Sequence, residues 1–355
     1  MNGALLAAGG LAAAGIGVSR LLPLRPLPRP TGRHLVGTRT VVLDDDRHAD
    51  GLPVQVWYPT ASDGPAAPLL VDGTAFGRGL AASYGIPAAL LGHLRWVRGS
   101  AVAGAPPLEV ADDLPAVVLV HGWKGFRTAH ADVAEQLASQ GHVVVAADHV
   151  GGSLAAVRPD GSVQPIDTSL LPPEGTPDYW PSARRLVERY AADLHTVLDA
   201  FGGPHLPLAG SRTLLIGHST GGAAALMTAG AHERVDGWVG LDPWVRAISM
   251  AGGSLPRALG ATTRILRSEE WTGNANDEVL LPFAADLGQP VRTIAGTGHV
   301  DFTLLGRLSP LVRRVGLTRA DPDVTRRATL SAAADLLAGL PHPGPSDPPK
   351  ASSTG

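Results

Sequence analysis

Gly217-His218-Ser219-Thr220-Gly221 sets a serine between two glycines in the spacing G-x-S-x-G. The run Thr213-Leu214-Leu215-Ile216 before it is strand-like, and Gly222-Ala223-Ala224-Ala225-Leu226-Met227 after it opens a helix of small residues. A serine hydroxyl becomes a nucleophile when a sharp strand-to-helix turn presents it, and the flanks must be small enough for helix and sheet to approach. The N-terminus of the next helix then aims partial positive charge at an oxyanion forming on the substrate. The chemistry expected of Ser219 is attack on a carbonyl carbon, with a covalent acyl intermediate.

Such a serine needs a base, an acid that orients the base, and a second N–H donor for the oxyanion. Val117-Val118-Leu119-Val120 runs into His121-Gly122-Trp123-Lys124-Gly125, an H-G-x-x-G loop that turns the backbone N–H of Trp123 toward a substrate carbonyl beside that of Thr220. Trp238-Val239-Gly240-Leu241 ends in Asp242-Pro243-Trp244, and the run Val291–Ala295 ends in Gly296-Thr297-Gly298-His299. His299 is therefore the candidate base and Asp242 the candidate acid. Spacing alone leaves alternatives. Glu269 and Glu270 follow the next strand-like run, Asp301 has the position of a helix cap, and a structural strand-end carboxylate is the other reading of Asp242. His121 is read as a support for its own loop, and His218 as pointing away from its neighbour inside the turn.

These residues need a scaffold that brings strand ends together. Apolar runs at Ala116–Val120, Val143–Ala147, Thr213–Gly217, Trp238–Leu241, Thr263–Leu266 and Val291–Ala295 are continuous rather than alternating, as in parallel strands covered on both faces. A helix is expected over Pro181–Phe201, where Leu186, Tyr190, Leu194, Val197, Leu198 and Phe201 form one stripe and Pro181 suits a helix start. Thr38–Leu43 and Val54–Tyr58 read as an antiparallel pair. The fold class is α/β: a mostly parallel doubly wound sheet with an antiparallel N-terminal strand pair, in one catalytic domain over residues 31–340. The chain order Ser219, Asp242, His299 is that of the α/β-hydrolase fold.

Composition narrows the function classes. The chain has 355 residues with 44% hydrophobic and 17% charged side chains, enough apolar surface to offset the entropy of folding. Its net charge of −3 provides no basic face, so no nucleic-acid partner is expected. Zero cysteines remove disulfides, thiolate metal sites and a cysteine nucleophile.

Along the chain, Val56-Trp57-Tyr58-Pro59, His121-Gly122-Trp123-Lys124-Gly125-Phe126-Arg127, Ala147-Asp148-His149, Gly217-His218-Ser219-Thr220-Gly221-Gly222, Leu241-Asp242-Pro243-Trp244, Ser268-Glu269-Glu270-Trp271 and Gly298-His299 with Asp301-Phe302-Thr303 occur in order. The stretch from Thr38 to Leu311 thereby resembles the plasma-type platelet-activating factor acetylhydrolases and their microbial homologues. The resemblance implies an α/β-hydrolase with Ser219 as nucleophile, Asp242 as acid and His299 as base. It further implies an oxyanion hole from the Trp123 and Thr220 amides, no cofactor, and no metal. Its substrates would be short acyl esters, the sn-2 acetyl ester of phospholipids among them. Thr220 stands where the animal enzymes usually carry an aromatic, and Trp123 and Lys124 replace small residues of the oxyanion loop. A broad short-chain carboxylesterase, or a cutinase-like polyester hydrolase, is the alternative within enzymes. An inactive binding protein of this fold is the alternative outside them.

Residues 84–97 carry Ile86, Leu90, Leu91, Leu94 and Val97 on one stripe beside Arg95 and Arg98. They read as an interfacial helix meeting a lipid surface, or as a cap helix packed on the catalytic domain. Residues 1–30 are apolar and then proline-rich, as in a signal, an anchor or an arm. The expected location is secreted or membrane-associated, and cytoplasmic if this segment targets nothing. Residues 341–355 read as a disordered tail.

Overall fold

A computed structural model describes residues 27–70, 73–85, 87–108, 115–207, 212–250, 252–256, 259, 262–308, 310–314 and 316–339. Nearly all of 1–30 and the whole of 341–355 lie outside these residues. Among the described residues there are twelve strands: β1 (Leu35–Leu43), β2 (Leu52–Thr60), β3 (Ala66–Pro68), β4 (Arg98–Ala103), β5 (Ala116–Val120), β6 (Val144–Ala147), β7 (Ala155–Val157), β8 (Val163–Pro165), β9 (Thr213–His218), β10 (Val235–Leu241), β11 (Thr263–Ser268) and β12 (Val291–Ile294). Ten of them form one sheet in the order β12-β11-β10-β9-β5-β6-β2-β1-β4-β3, and β7 and β8 make a separate hairpin.

The six apolar runs are the six neighbouring parallel strands from β12 to β6. Their continuous character has a direct cause. Val117 and Leu119 of β5 join one core cluster while Ala116, Val118 and Val120 join the other. Both faces of the strand are buried, so every position is apolar. The antiparallel pair is β1 with β2, in register from Leu35–Thr60 to Leu43–Leu52. β3 and β4, which no alternation in the sequence announced, extend the sheet beyond β1.

From β5 the chain winds outward to β6, then returns to β9 on the other side of β5 and winds away through β10, β11 and β12. The order reverses between β5 and β9, and in sheets of this kind ligands bind at the carboxyl ends of the strands at such a reversal. The loops after β5 and β9 are the two that carry Trp123 and Ser219.

The expected helix at Pro181–Phe201 spans Tyr179–Asp199, two residues earlier, so Pro181 lies within the first turn rather than opening it. That position still tolerates proline, because a first-turn N–H has no acceptor inside the helix. The stripe at 84–97 differs more. Tyr84 ends the helix Gly73–Tyr84, and Ala88–Trp96 is a 3-10 helix. Leu94 and Val97 are buried in the core with Leu91 packed on them, so these three do not face a lipid surface. Trp96 stays exposed, with the Arg95 guanidinium over its ring. Among the described residues, no helix is long and apolar enough to cross a membrane.

Trp238 of β10 has no exposed surface, and its Nε1–H donates to the Gly222 carbonyl at 3.1 Å, pinning the helix after Ser219 to the sheet. Trp238→Ala is expected to cost about 3–5 kcal/mol, read as the shift in the urea unfolding midpoint.

Candidate active site

Ser219 sits between β9 and the helix Thr220–Ala229 with φ 55° and ψ −121°. Lys124, Ser219 and Asp242 are the non-glycine residues with positive φ among the described residues, and they follow the carboxyl ends of β5, β9 and β10. Strain in that part of backbone space persists only where surrounding structure enforces it. The enforcement is visible. Ser219 N–H donates to the Leu241 carbonyl at 3.0 Å, and Trp244 N–H returns a 3.0 Å bond to the Ser219 carbonyl. Gly221 is obligatory for space: a Cβ there would lie 2.4 Å from the His121 carbonyl oxygen. A Cβ on Gly122 would lie 2.9 Å from that of Ser219, so the loop after β5 lies directly against the serine.

Asp242 leaves the end of β10 with φ 43°, its N–H bonded to the Leu266 carbonyl of β11 at 2.9 Å. Its side chain has no exposed surface. One carboxylate oxygen accepts the Ser268 N–H at 2.6 Å; the other accepts the Ser268 hydroxyl at 2.6 Å and lies 3.0 Å from His299 Nδ1. The imidazole is about one-fifth exposed. A Nδ1–H donated to Asp242 leaves Nε2 as the nitrogen able to accept a proton.

His121 holds the loop after β5, as read from the sequence. Its Nδ1–H donates to the Gly122 carbonyl at 2.8 Å, and its Nε2 lies 2.9 Å from the Ser153 hydroxyl. Asp148 accepts the Arg127 N–H at 2.8 Å and pairs with the Arg127 guanidinium, which fixes the far end of the same loop. No acceptor among the described residues takes the backbone N–H of Trp123 or of Thr220.

The alternative carboxylates are occupied otherwise. Glu269 accepts the Gly296 N–H at 2.5 Å and Glu270 the His299 N–H at 2.7 Å. Asp301 accepts Gly298 N–H at 2.6 Å, together with the amides of Arg319 and Ala320, and so caps the turn His299–Phe302. All three brace the backbone of the loop that carries His299. Sequence reasoning did not anticipate Ser268 as the partner of Asp242; its place at the end of β11, on the same rim, was the available signal. His218 was also under-read. Its Nε2 lies 3.0 Å from the His299 carbonyl and its ring 4.5 Å from the imidazole.

Three histidines beneath this rim are held uncharged. Burial pushes His121 and His218 well below the ordinary histidine range, and neighbouring histidines push each further. Burial brings His130 down to about 4. Among the described residues, Asp45, His48 and Asp193 are close enough to share a cation. The Arg47 guanidinium already pairs with both carboxylates, and His48 and His149 each bond Asp193 at 2.9 Å. That cluster is therefore complete without a metal.

A family model described as platelet-activating factor acetylhydrolase, isoform II, matches residues 23–158, and one described as serine aminopeptidase, S33, matches residues 114–342. A platelet-activating factor acetylhydrolase of Canis lupus familiaris is 29% identical over 149 residues, covering 41% of this chain and 32% of that protein. The Bos taurus counterpart is 23% identical over 366 aligned positions, covering 94% of this chain and 80% of that protein. A solved ferulic acid esterase from Streptomyces cinnamoneus matches with a TM-score of 0.67 and 24% identity, over 92% of this chain and 97% of that one.

The neutral histidines set a pH dependence. Between about pH 6.5 and 4 the unfolded chain takes up a proton at His130 that the folded chain refuses. Stability therefore falls on acidification, by about 3 kcal/mol from this residue once the pH reaches its folded value. Urea unfolding at a series of pH values is expected to show that slope in the wild type and a shallower one in His130→Gln.

Proposed function

Because the chain belongs to the family described as serine aminopeptidase, S33, and is a platelet-activating factor acetylhydrolase-like α/β hydrolase, we propose that it is a serine esterase working through an acyl-enzyme. The hydrogen bond of 3.0 Å between His299 Nδ1 and the buried Asp242 carries this reading, because it orients a base at the rim where Ser219 is presented. In this mechanism His299 Nε2 takes the Ser219 proton as Oγ attacks the ester carbonyl. Asp242 holds the imidazole and offsets its charge, and the Trp123 and Thr220 amides stabilise the tetrahedral oxyanion. The imidazolium then protonates the departing alkoxide, and water hydrolyses the acyl-enzyme by the same steps in reverse roles.

The substrate class proposed is a short acyl ester, with the acetyl ester of a phospholipid as the first choice because two animal relatives are platelet-activating factor acetylhydrolases. A broader esterase that accepts aryl esters is the second reading. It is favoured by the cluster of Tyr179, Trp180 and Trp244, whose ring centroids lie 4.9–6.2 Å apart at the end of the acid loop, and by the name of the structural neighbour, a ferulic acid esterase. Contact with a lipid surface through residues 84–97 would fall to Trp96 and Arg95, since Leu91, Leu94 and Val97 pack into the core and Ile86 lies outside the described residues.

Ser219→Ala is expected to lower kcat by about 10⁴-fold or more on p-nitrophenyl acetate with an unchanged circular dichroism spectrum. Mass spectrometry after an organophosphonate probe is expected to find the label on Ser219; a label elsewhere ends the assignment. Asp242→Asn is expected to lose about 10³-fold or more, and Glu269→Gln less than about tenfold, which separates acid from loop brace. Rates on a 2-acetyl phospholipid, p-nitrophenyl butyrate, methyl ferulate and a polyester film decide the substrate: a dominant rate on the phospholipid supports the first reading, and comparable rates on the others support the second.

A further inference from the structure

Ser268-Glu269-Glu270-Trp271 begins at the end of β11 and folds over the loop that carries His299. Ser268 holds Asp242, Glu269 and Glu270 hold main-chain N–H groups of that loop, and Trp271 is left to meet the imidazole itself. The indole and imidazole rings stack with centroids 4.1 Å apart and planes 3° from parallel. Trp271 is only half-buried and belongs to neither main core cluster, so the packing of the core does not account for its orientation.

The face of an indole carries negative electrostatic potential and attracts a cation placed over it more than it attracts a neutral ring. In the proposed mechanism His299 is a cation twice per turnover: once after it takes the Ser219 proton and before it protonates the leaving alkoxide, and once in deacylation with water. A ring that must become charged, stacked flat on an indole, gains stabilisation at the moment the charge appears.

We propose that Trp271 is a positioning residue for His299: its indole face fixes the plane of the imidazole against Asp242 and stabilises the imidazolium formed when the ring holds the serine proton. This rests on the assignment of His299 as base. The other groups around the ring are Asp242 from the end of β10, the buried neutral His218 from the end of β9, and Glu270 at its main-chain N–H, itself paired with Arg319 at 2.7 Å. A substitution at Trp271 leaves all of them in place.

The test compares wild type, Trp271→Phe and Trp271→Leu as full chains on p-nitrophenyl acetate from pH 5 to 9. Trp271→Leu is expected to lower kcat about five- to tenfold with KM within about twofold, and to move the acid limb of the kcat/KM profile to lower pH, because an imidazolium without its indole loses its proton more readily. Trp271→Phe, which restores an aromatic face, is expected to recover most of the rate and return the limb toward the wild-type position. An unmoved acid limb in Trp271→Leu, with or without a loss of kcat, overturns the proposal, because a merely structural role would lower the rate without shifting the limb. His299→Ala and the site of the organophosphonate label separate the two levels. An inactive His299→Ala with label on Ser219 and an unmoved limb in Trp271→Leu refutes Trp271 alone, whereas an active His299→Ala removes the base assignment beneath it.

Discussion

A carboxylate with no exposed surface is tolerated in a protein interior only if hydrogen bonds replace the water it has lost, and at Asp242 those bonds come from two other parts of the site. Ser268 supplies an amide and a hydroxyl from the end of β11, and His299 supplies its Nδ1 from the loop after β12. The backbone around Asp242 meanwhile binds Ser219 in both directions, through Leu241 and Trp244. One buried acid thus ties together the strand ends that carry Ser219, Asp242 and Ser268 and the loop that carries His299. Loss of any donor leaves an uncompensated buried group, so the arrangement resists partial loosening.

Local strain is the counterpart of that rigidity. Lys124, Ser219 and Asp242 adopt positive φ, each at a cost on the order of 1–3 kcal/mol, and each in a loop at the carboxyl edge of the sheet. The parallel strands β5, β6, β9 and β10 beneath contribute to both core clusters and resist relaxation of these turns. The neutral histidines belong to the same economy of charge. His121, His130 and His218 provide hydrogen-bonding rings under the rim without adding cations beside His299.

The six parallel strands, the N-terminal antiparallel pair and the serine turn were legible because each leaves a local mark: a short run rich in apolar and β-branched residues, or small residues around a serine. The strand pair β3–β4 and the turn at residues 88–96 were not. β3 has three residues, too few to show a period, and the apolar stripe at 84–97 looks the same whether it meets lipid or a core. The choice among Asp242, Glu269 and Glu270 was equally closed to spacing, since all three follow strand ends on the same rim.

What the amino-acid order determined by itself is the inventory at that rim, because parallel strands expose their carboxyl ends on one edge and residues just after an apolar run must lie there. It also determined that a doubly covered sheet would hold them, because continuous apolar strands have no other stable placement. Only the tertiary structure decided which carboxylate reaches the imidazole, that Ser268 supports it, and that Trp271 lies flat against the ring. Those are contacts between residues 26 to 57 positions apart, or ring orientations across a turn, and their geometry depends on strand order and loop path rather than on any neighbour in the chain.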